Sequence, residues 1–157
     1  MEGMLSLVRV DDRLLHGQII CAWVPYVEAD TLIVASDEAA SDELVSGIIS
    51  SCGHKGLKVA VKKVEDVIKE FSVDRSDRKR VILIVGNLQD AMRVYEEGMR
   101  FTTLNIGNIH HSEEGHELSP SVILNGEDDL IIRRFVGFGV RIDIRDVPGS
   151  APVRFKG

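Results

Sequence analysis

Alternating strand and helix patterns predict an α/β protein, a three-layer, doubly wound, mostly parallel sheet with helices on both faces. Three observations carry this expectation. Short β-branched runs recur along the chain, several of them nearly continuous in Val, Ile and Leu, as in strands covered on both faces. Segments of helix length and helical spacing separate most of these runs, and strands joined in that way form parallel sheets through right-handed crossovers. Cap and stop residues stand where the helices should begin and end.

The expected strands are Leu5–Val10, Thr31–Ala35, Leu57–Val61, Val81–Val85, Thr103–Ile106, Ser121–Leu124 and Val140–Ile144. After His16, residues Ile19, Ile20, Trp23, Val24 and Val27 recur at the intervals of one helix face. Trp23 is therefore expected in the core, with a partner for its N–H. Asp37–Ser50 places Ala40, Leu44, Ile48 and Ile49 in the same way, and Val64–Phe71, Leu88–Gly98 and Asp128–Phe138 supply three more helices. Ser36-Asp37 and Asn87 are the expected caps, and Gly53, Gly98 and Gly139 the expected stops. In such a sheet, ligands bind beyond the carboxyl ends of the strands. The polar segments Asp11–Gln18, Ser36-Asp37, Gly86-Asn87 and Gly107-Asn108 all lie at such ends.

A chain of 157 residues is expected to form one domain, residues 1–157, with roughly two-thirds of its unfolded surface buried. Its 44% hydrophobic and 28% charged residues are those of a soluble globule. A formal charge of −6 argues against nucleic acid as a partner. The basic run Arg75 to Arg80, broken by Asp77, reads as a solvated loop. Cys21 and Cys52 stand in no metal or redox spacing and fall on apolar helical patterns, so two buried thiols in a reducing cytoplasm are expected. Glu2 stands where a signal peptide would carry a cation, and no run is apolar enough to span a bilayer. A cytoplasmic protein is expected, one that reaches a membrane only by docking to something embedded in it.

Candidate chemistry concentrates where the first strand ends, at Asp11-Asp12-Arg13-Leu14-Leu15-His16-Gly17-Gln18. An imidazole has an ordinary pKa of about 6.5, so much of it is uncharged at neutral pH and able to attack phosphorus. A helix start offers unpaired N–H groups to an anion, here those of Gly17, Gln18 and Ile19, and Gly17 allows close approach. Arg13 offers a planar fork for phosphoryl oxygens. Asp11 or Asp12 can hold the second imidazole nitrogen or fix Arg13. Arg9, inside the strand, either bridges buried carboxylates such as Asp11 or contacts phosphate directly.

The string Arg9-Val10-Asp11-Asp12-Arg13-Leu14-Leu15-His16-Gly17-Gln18-Ile19, followed by Trp23, closely resembles the start of the IIB subunits of the mannose/fructose/sorbose branch of the bacterial phosphoenolpyruvate-dependent sugar phosphotransferase system. Ile33-Val34-Ala35-Ser36-Asp37-Glu38 resembles that family's second strand and turn, and Asn105-Ile106-Gly107-Asn108-Ile109-His110 its fifth-strand loop. The resemblance spans essentially the whole chain. It implies a doubly wound α/β fold and a phosphoryl group carried on the δ1 nitrogen of the histidine matched by His16. That group is taken from a phosphohistidine on a IIA protein or domain and passed to a sugar held by the membrane IIC and IID subunits. Arg13, Asp11 and Asp12 match the family's catalytic loop residues, and Gly17, Gln18, Arg9 and Asn108 are the expected phosphate-binding residues. No metal, nucleotide or other cofactor is implied, because the donor is already a high-energy phosphohistidine. A homodimer is compatible with such a carrier.

Two other readings stand beside this one. A regulatory module of the same ancestry would accept phosphate on His16 without delivering it to a sugar. A metal site built from His110, His111 and His116 is disfavoured, because adjacent histidines on a loop rarely ligate one metal. The loop His110–His116 is richer in histidine and acid than the resemblance leads one to expect, and the chain ends at Val153-Arg154-Phe155-Lys156-Gly157, soon after Pro148-Gly149. Which sugar is served is not legible in the sequence.

Overall fold

The computed structural model describes residues 5–73, 79–110 and 115–155. Its strands are β1 (Leu5–Asp11), β2 (Thr31–Ala35), β3 (Lys58–Lys62), β4 (Val81–Val85), β5 (Thr103–His110), β6 (His116–Ser119), β7 (Val122–Leu124) and β8 (Arg141–Ile144). They form one sheet in the order β3-β2-β4-β1-β5-β7-β6, with β8 also paired to β5. Among the described residues every pairing is parallel except that of β6 with β7. The chain leaves β1 toward β2 on one side and leaves β5 toward β7 on the other. The crevice between the carboxyl ends of β1 and β5 is therefore a point where the winding reverses, the place such folds use for ligands.

The alternation of side chains along each strand divides the apolar residues between two faces. Ile33, Leu83 and Val85 join Val64, Val67 and Phe71 of α4 (Val64–Val73), Leu88, Val94 and Tyr95 of α5 (Leu88–Glu96), and Ile132 and Phe135 of α6 (Gly126–Gly137). Leu32, Val34, Ile82 and Ile84 face the other way, toward Ile19, Trp23, Ala39 and Ile49. The doubly wound, three-layer expectation holds.

Local chemistry accounts for the helix boundaries. Ser36 and Asn87 cap α2 (Asp37–Ser41) and α5 by accepting the amides of Ala39 and Asp90. Asn125 and Asp128 form a reciprocal capping box that starts α6 at Gly126. The expected helix Asp37–Ser50 is two helices, because Asp42 leaves helical geometry (φ −107°, ψ 105°) and caps α3 (Glu43–Ser50) with its own carboxylate.

Two sequence-based expectations about packing and two about strands are corrected. Leu44 and Ile48 are 73% and 59% exposed, so the stripe they define on α3 faces solvent. Both cysteines are exposed rather than buried: Cys52 follows Ile48 on that same outer stripe, and Cys21 lies on the outer side of a π-helical segment, Ile19–Trp23. The wider π turn changes the phase of the face, which keeps Ile19 and Trp23 inside and leads into α1 (Val24–Val27). Strand β5 runs four residues past the expected Ile106, to His110, and the short polar strand β6 was not expected. Most of the run Arg75 to Arg80 lies outside the described residues, as does His111; within that run Arg80 is paired with Glu28.

The extension of β5 matters most for the site. Its register with β1 is Arg9 beside Asn105, Val10 beside Ile106, then Asp11 beside Asn108, so one residue is skipped at Gly107. The guanidinium of Arg9 lies over that skipped glycine. A Cβ placed on Gly107 would fall 2.0 Å from Arg9 Cζ, a spacing no side chain can occupy.

Two expected outcomes follow from this packing. Gly107→Ala forces Arg9 or the strand to move, an overpacking cost of about 1–3 kcal/mol that chemical denaturation would register as a lower midpoint with an unchanged slope. Burial, with Asp37 nearby, raises the Asp90 carboxyl above its ordinary range. The folded state therefore holds that proton more tightly than the unfolded chain, and stability is lost as pH rises through the raised value. Asp90→Asn should melt with wild type at about pH 3 and above it at about pH 7.

Candidate active site

The first loop folds back on the end of β1. Leu14 takes a left-handed conformation (φ 58°) that non-glycine residues seldom adopt, and its amide donates to the Asp11 carbonyl at 2.9 Å. This tight reversal returns both Arg13 and His16 to the carboxylate of Asp11, which is wholly buried. Asp11 Oδ2 accepts from His16 Nε2 at 2.7 Å, and from Arg9 Nε and Nη2 at 3.2 and 3.1 Å. Asp11 Oδ1 accepts from the Arg13 backbone amide at 3.0 Å and from Arg13 Nε at 3.4 Å. Each oxygen is thus shared by two groups, as a buried carboxylate requires.

The two ring nitrogens of His16 differ. A carboxylate only accepts, so the 2.7 Å contact places a proton on Nε2, and in the uncharged ring the lone pair then falls on Nδ1. The ring is 18% exposed, and among the described residues Nδ1 makes no hydrogen bond. A helix starts just beyond it. The amides of Ile19 and Ile20 close onto the His16 carbonyl at 3.1 and 3.5 Å. Ile19 is thereby occupied, contrary to expectation, while Gly17 and Gln18 precede the first intrahelical bond and carry the open donors of the turn. Arg13 is 45% exposed, and its two terminal nitrogens have no partner among the described residues. A half-exposed arginine fork, two first-turn amides and an imidazole lone pair therefore sit together.

Arg9 belongs to a different layer. It is wholly buried, which excludes the direct phosphate contact that the sequence left open. Besides Asp11 it donates through Nη1 to Asn105 Oδ1 at 2.7 Å and to the Arg145 carbonyl at 3.4 Å, and it lies 5.5 Å from the centre of the Trp23 ring. Burial lowers its basicity, and the adjacent Asp11 opposes that shift. Trp23 is in the core as expected, its indole N–H donating to the Asp146 carbonyl at 2.7 Å.

Asp12 and Asn108 are likewise reassigned. Neither touches His16. The buried Asn108 donates its amide to Asp12 Oδ1, and Asp12 Oδ2 accepts the His110 backbone amide at 2.8 Å. With the Asp12 amide donating to the Asn108 carbonyl at 2.9 Å, this cluster fastens the first loop to the end of β5. The ring of His110 is held there too, Nδ1 lying 3.0 Å from Asn108 Nδ2. His116 is drawn away from it by Asp129 of α6, at 2.8 Å.

Asn105, Gly107, Asp143 and Arg145 complete the support; the sequence marked Asn105 and Gly107 only as part of the fifth-strand segment and gave Asp143 and Arg145 no role in the site. Asn105 donates to the backbone and side chain of Asp143, and Arg145 Nε donates to Asp143 Oδ2 at 3.0 Å. A signal existed: Asn105 and Asp143 are polar residues inside β-branched runs, and polar groups in buried strands need partners.

Comparison with known proteins agrees with this geometry. Residues 5–156 match the model of the PTS system sorbose subfamily IIB component. A probable phosphotransferase enzyme IIB component of Streptococcus pyogenes serotype M6 is 33% identical over 138 residues, 85% of each chain. The fructose-specific EIIB component of Bacillus subtilis is 29% identical, with 96% of this chain and 93% of its own covered. The crystal structure of the IIB domain of the Klebsiella pneumoniae sorbose permease superposes with a TM-score of 0.89 at 27% identity, covering 96% of this chain and 92% of that one. A match across nearly every described element, on a fold whose reversal point holds an imidazole beside open anion donors, leads to one conclusion: the chain belongs to the sorbose-subfamily IIB components of the sugar phosphotransferase system, phosphocarriers that take a phosphoryl group from IIA and pass it to a sugar.

Proposed function

We propose that His16 Nδ1 is the phosphoryl acceptor of this carrier. The observation that supports this reading is the Nε2–Asp11 hydrogen bond, which in the uncharged ring leaves the lone pair on Nδ1, in a ring still open to a visiting protein. In the first transfer the Nδ1 lone pair forms a bond to phosphorus as the bond to the IIA histidine breaks, and the IIA imidazole leaves neutral. No proton moves. The His16 ring becomes cationic as it bonds, and Asp11, already on its Nε2–H, offsets that charge.

Arg13 meets the phosphoryl oxygens, with the amides of Gly17 and Gln18 beside it. Asp11 orients the ring, while Asp12 and Asn108 hold the loop against β5. In the second transfer a sugar hydroxyl oxygen bonds to phosphorus, the Nδ1–P bond breaks, and His16 returns to its starting tautomer. The hydroxyl proton leaves to a base of the sugar-bearing membrane partner.

Among the described residues no helix is long and apolar enough to cross a membrane. Membership of the IIB family, not that absence, supports a carrier working in the cytoplasm, visiting a IIA donor and the membrane IIC and IID subunits that present the sugar. A net charge of −6 fits protein partners rather than nucleic acid. Self-association into a homodimer is compatible with this cycle.

Incubation with phosphoenolpyruvate, the general phosphotransferase proteins and a cognate IIA should add one acid-labile phosphoryl mass to wild type and none to His16→Ala. Labelling of His16→Ala would remove the assignment. Arg13→Ala should keep its melting temperature yet accept phosphate about 10- to 100-fold more slowly, the loss of a charge-assisted contact in stopped-flow transfer. Equal rates would take Arg13 out of the mechanism.

A further inference from the structure

We propose that Arg9 is a positioning residue for phosphoryl transfer: its buried guanidinium is the standing countercharge of Asp11 and so keeps His16 in the neutral Nε2–H tautomer. The inference rests on the reading of His16 Nδ1 as the acceptor, and goes beyond it by assigning what makes that nitrogen available.

The geometry poses a choice between two cations. Asp11 is wholly buried, and one of its oxygens, Oδ2, touches both Arg9 and His16. A buried carboxylate without a countercharge is costly, so some group must carry the positive charge beside it. Were that group His16, both ring nitrogens would be protonated and no lone pair would remain to attack phosphorus. Arg9 settles the matter by position. It grips Oδ2 with two nitrogens, and arginine keeps its proton even when burial lowers its basicity.

The other charged groups around the pair do not replace it. Arg13 reaches Oδ1 through Nε at 3.4 Å, but it is half-exposed and screened by water. Asp12 is turned to the end of β5, occupied by Asn108 and the His110 amide. Asp143 of β8 is matched by Arg145, which follows the strand, and Asp146, whose charge favours the cationic form of Arg9, accepts from Ser121.

Arg9 is itself fixed from three sides. Asn105 Oδ1 takes Nη1 at 2.7 Å, Trp23 lies 5.5 Å from the guanidinium, and the bare Cα of Gly107 leaves the space it fills. Asn105 cannot swing away, because its amide donates to the Asp143 and Arg145 carbonyls at 3.1 and 3.3 Å. The charge is therefore in place before any donor arrives, and no reorganisation accompanies the attack.

The test combines nitrogen NMR of the His16 ring with the pH dependence of phosphate uptake from phosphorylated IIA, in wild type, Arg9→Met, Arg9→Lys and Asn105→Ala. Wild type should show the neutral Nε2–H tautomer at pH 7. Arg9→Met should show mainly imidazolium, accept phosphate about tenfold more slowly at pH 7, and recover at alkaline pH. Arg9→Lys, which keeps the charge, should restore the wild-type tautomer, and Asn105→Ala should fall between. A neutral ring and a wild-type pH profile in Arg9→Met would overturn the proposal, as would a loss of rate that alkaline pH does not recover. If Arg9→Met does not fold, Asn105→Ala decides: a partial shift toward imidazolium supports the assignment, and a wild-type ring and profile reject it. The NMR arm needs no IIA, so its outcome is separate from whether His16 is the residue that becomes labelled.

Discussion

The buried carboxylate of Asp11 is the interaction on which the rest of the site depends. It ends the central strand β1 and, among the described residues, is the group that touches Arg9, Arg13 and His16 together. Remove its charge and Arg9 is left buried without a counterion, the loop loses its internal anchor, and the histidine loses what defines its tautomer. Stability and chemistry meet in one residue here. That is the usual cost structure of an active-site charge, held where solvent cannot weaken it.

The surrounding architecture follows from keeping that charge dry and its partners still. Two apolar faces seal the sheet above and below, so the carboxylate sits at the edge of a core rather than in a loop. The single-residue slip between β1 and β5 opens the space for Arg9, and the absence of a side chain at Gly107 keeps it open. Asp12 and Asn108 then tie the outer part of the loop to β5. The left-handed Leu14 stores a strain of about 1–2 kcal/mol, which these ties overcome.

The consequence for function is a division of labour by depth. Groups open to a partner are His16, Arg13 and the first-turn amides, all within a few residues of sequence. Groups beneath them come from β1, β5 and the segment after β8, and they fix the charge and orientation of the upper layer. A phosphocarrier has to accept and release the same group between two proteins, so its exposed layer must be accessible while its electrostatics stay constant. The exposed residues Leu44 and Ile48 of α3, and Cys52 just after it, lie outside this arrangement.

Sequence alone determined the alternation of strands and helices and the caps at Ser36 and Asn87, and it drew attention to the cluster Asp11–Gln18 as the candidate seat of the chemistry. Those features are local: periodicity, cap chemistry and the spacing of a few residues decide them. Tertiary structure decided which acid serves the histidine, since Asp11 and Asp12 are adjacent in sequence and only the turn at Leu14 and the end of β5 distinguish them. It also moved Arg9 from the ligand to the foundation, because burial is a property of the whole sheet. The phase of α3 and the exposure of both cysteines were likewise beyond periodicity, which shows that a helix has an apolar face but not what lies opposite it.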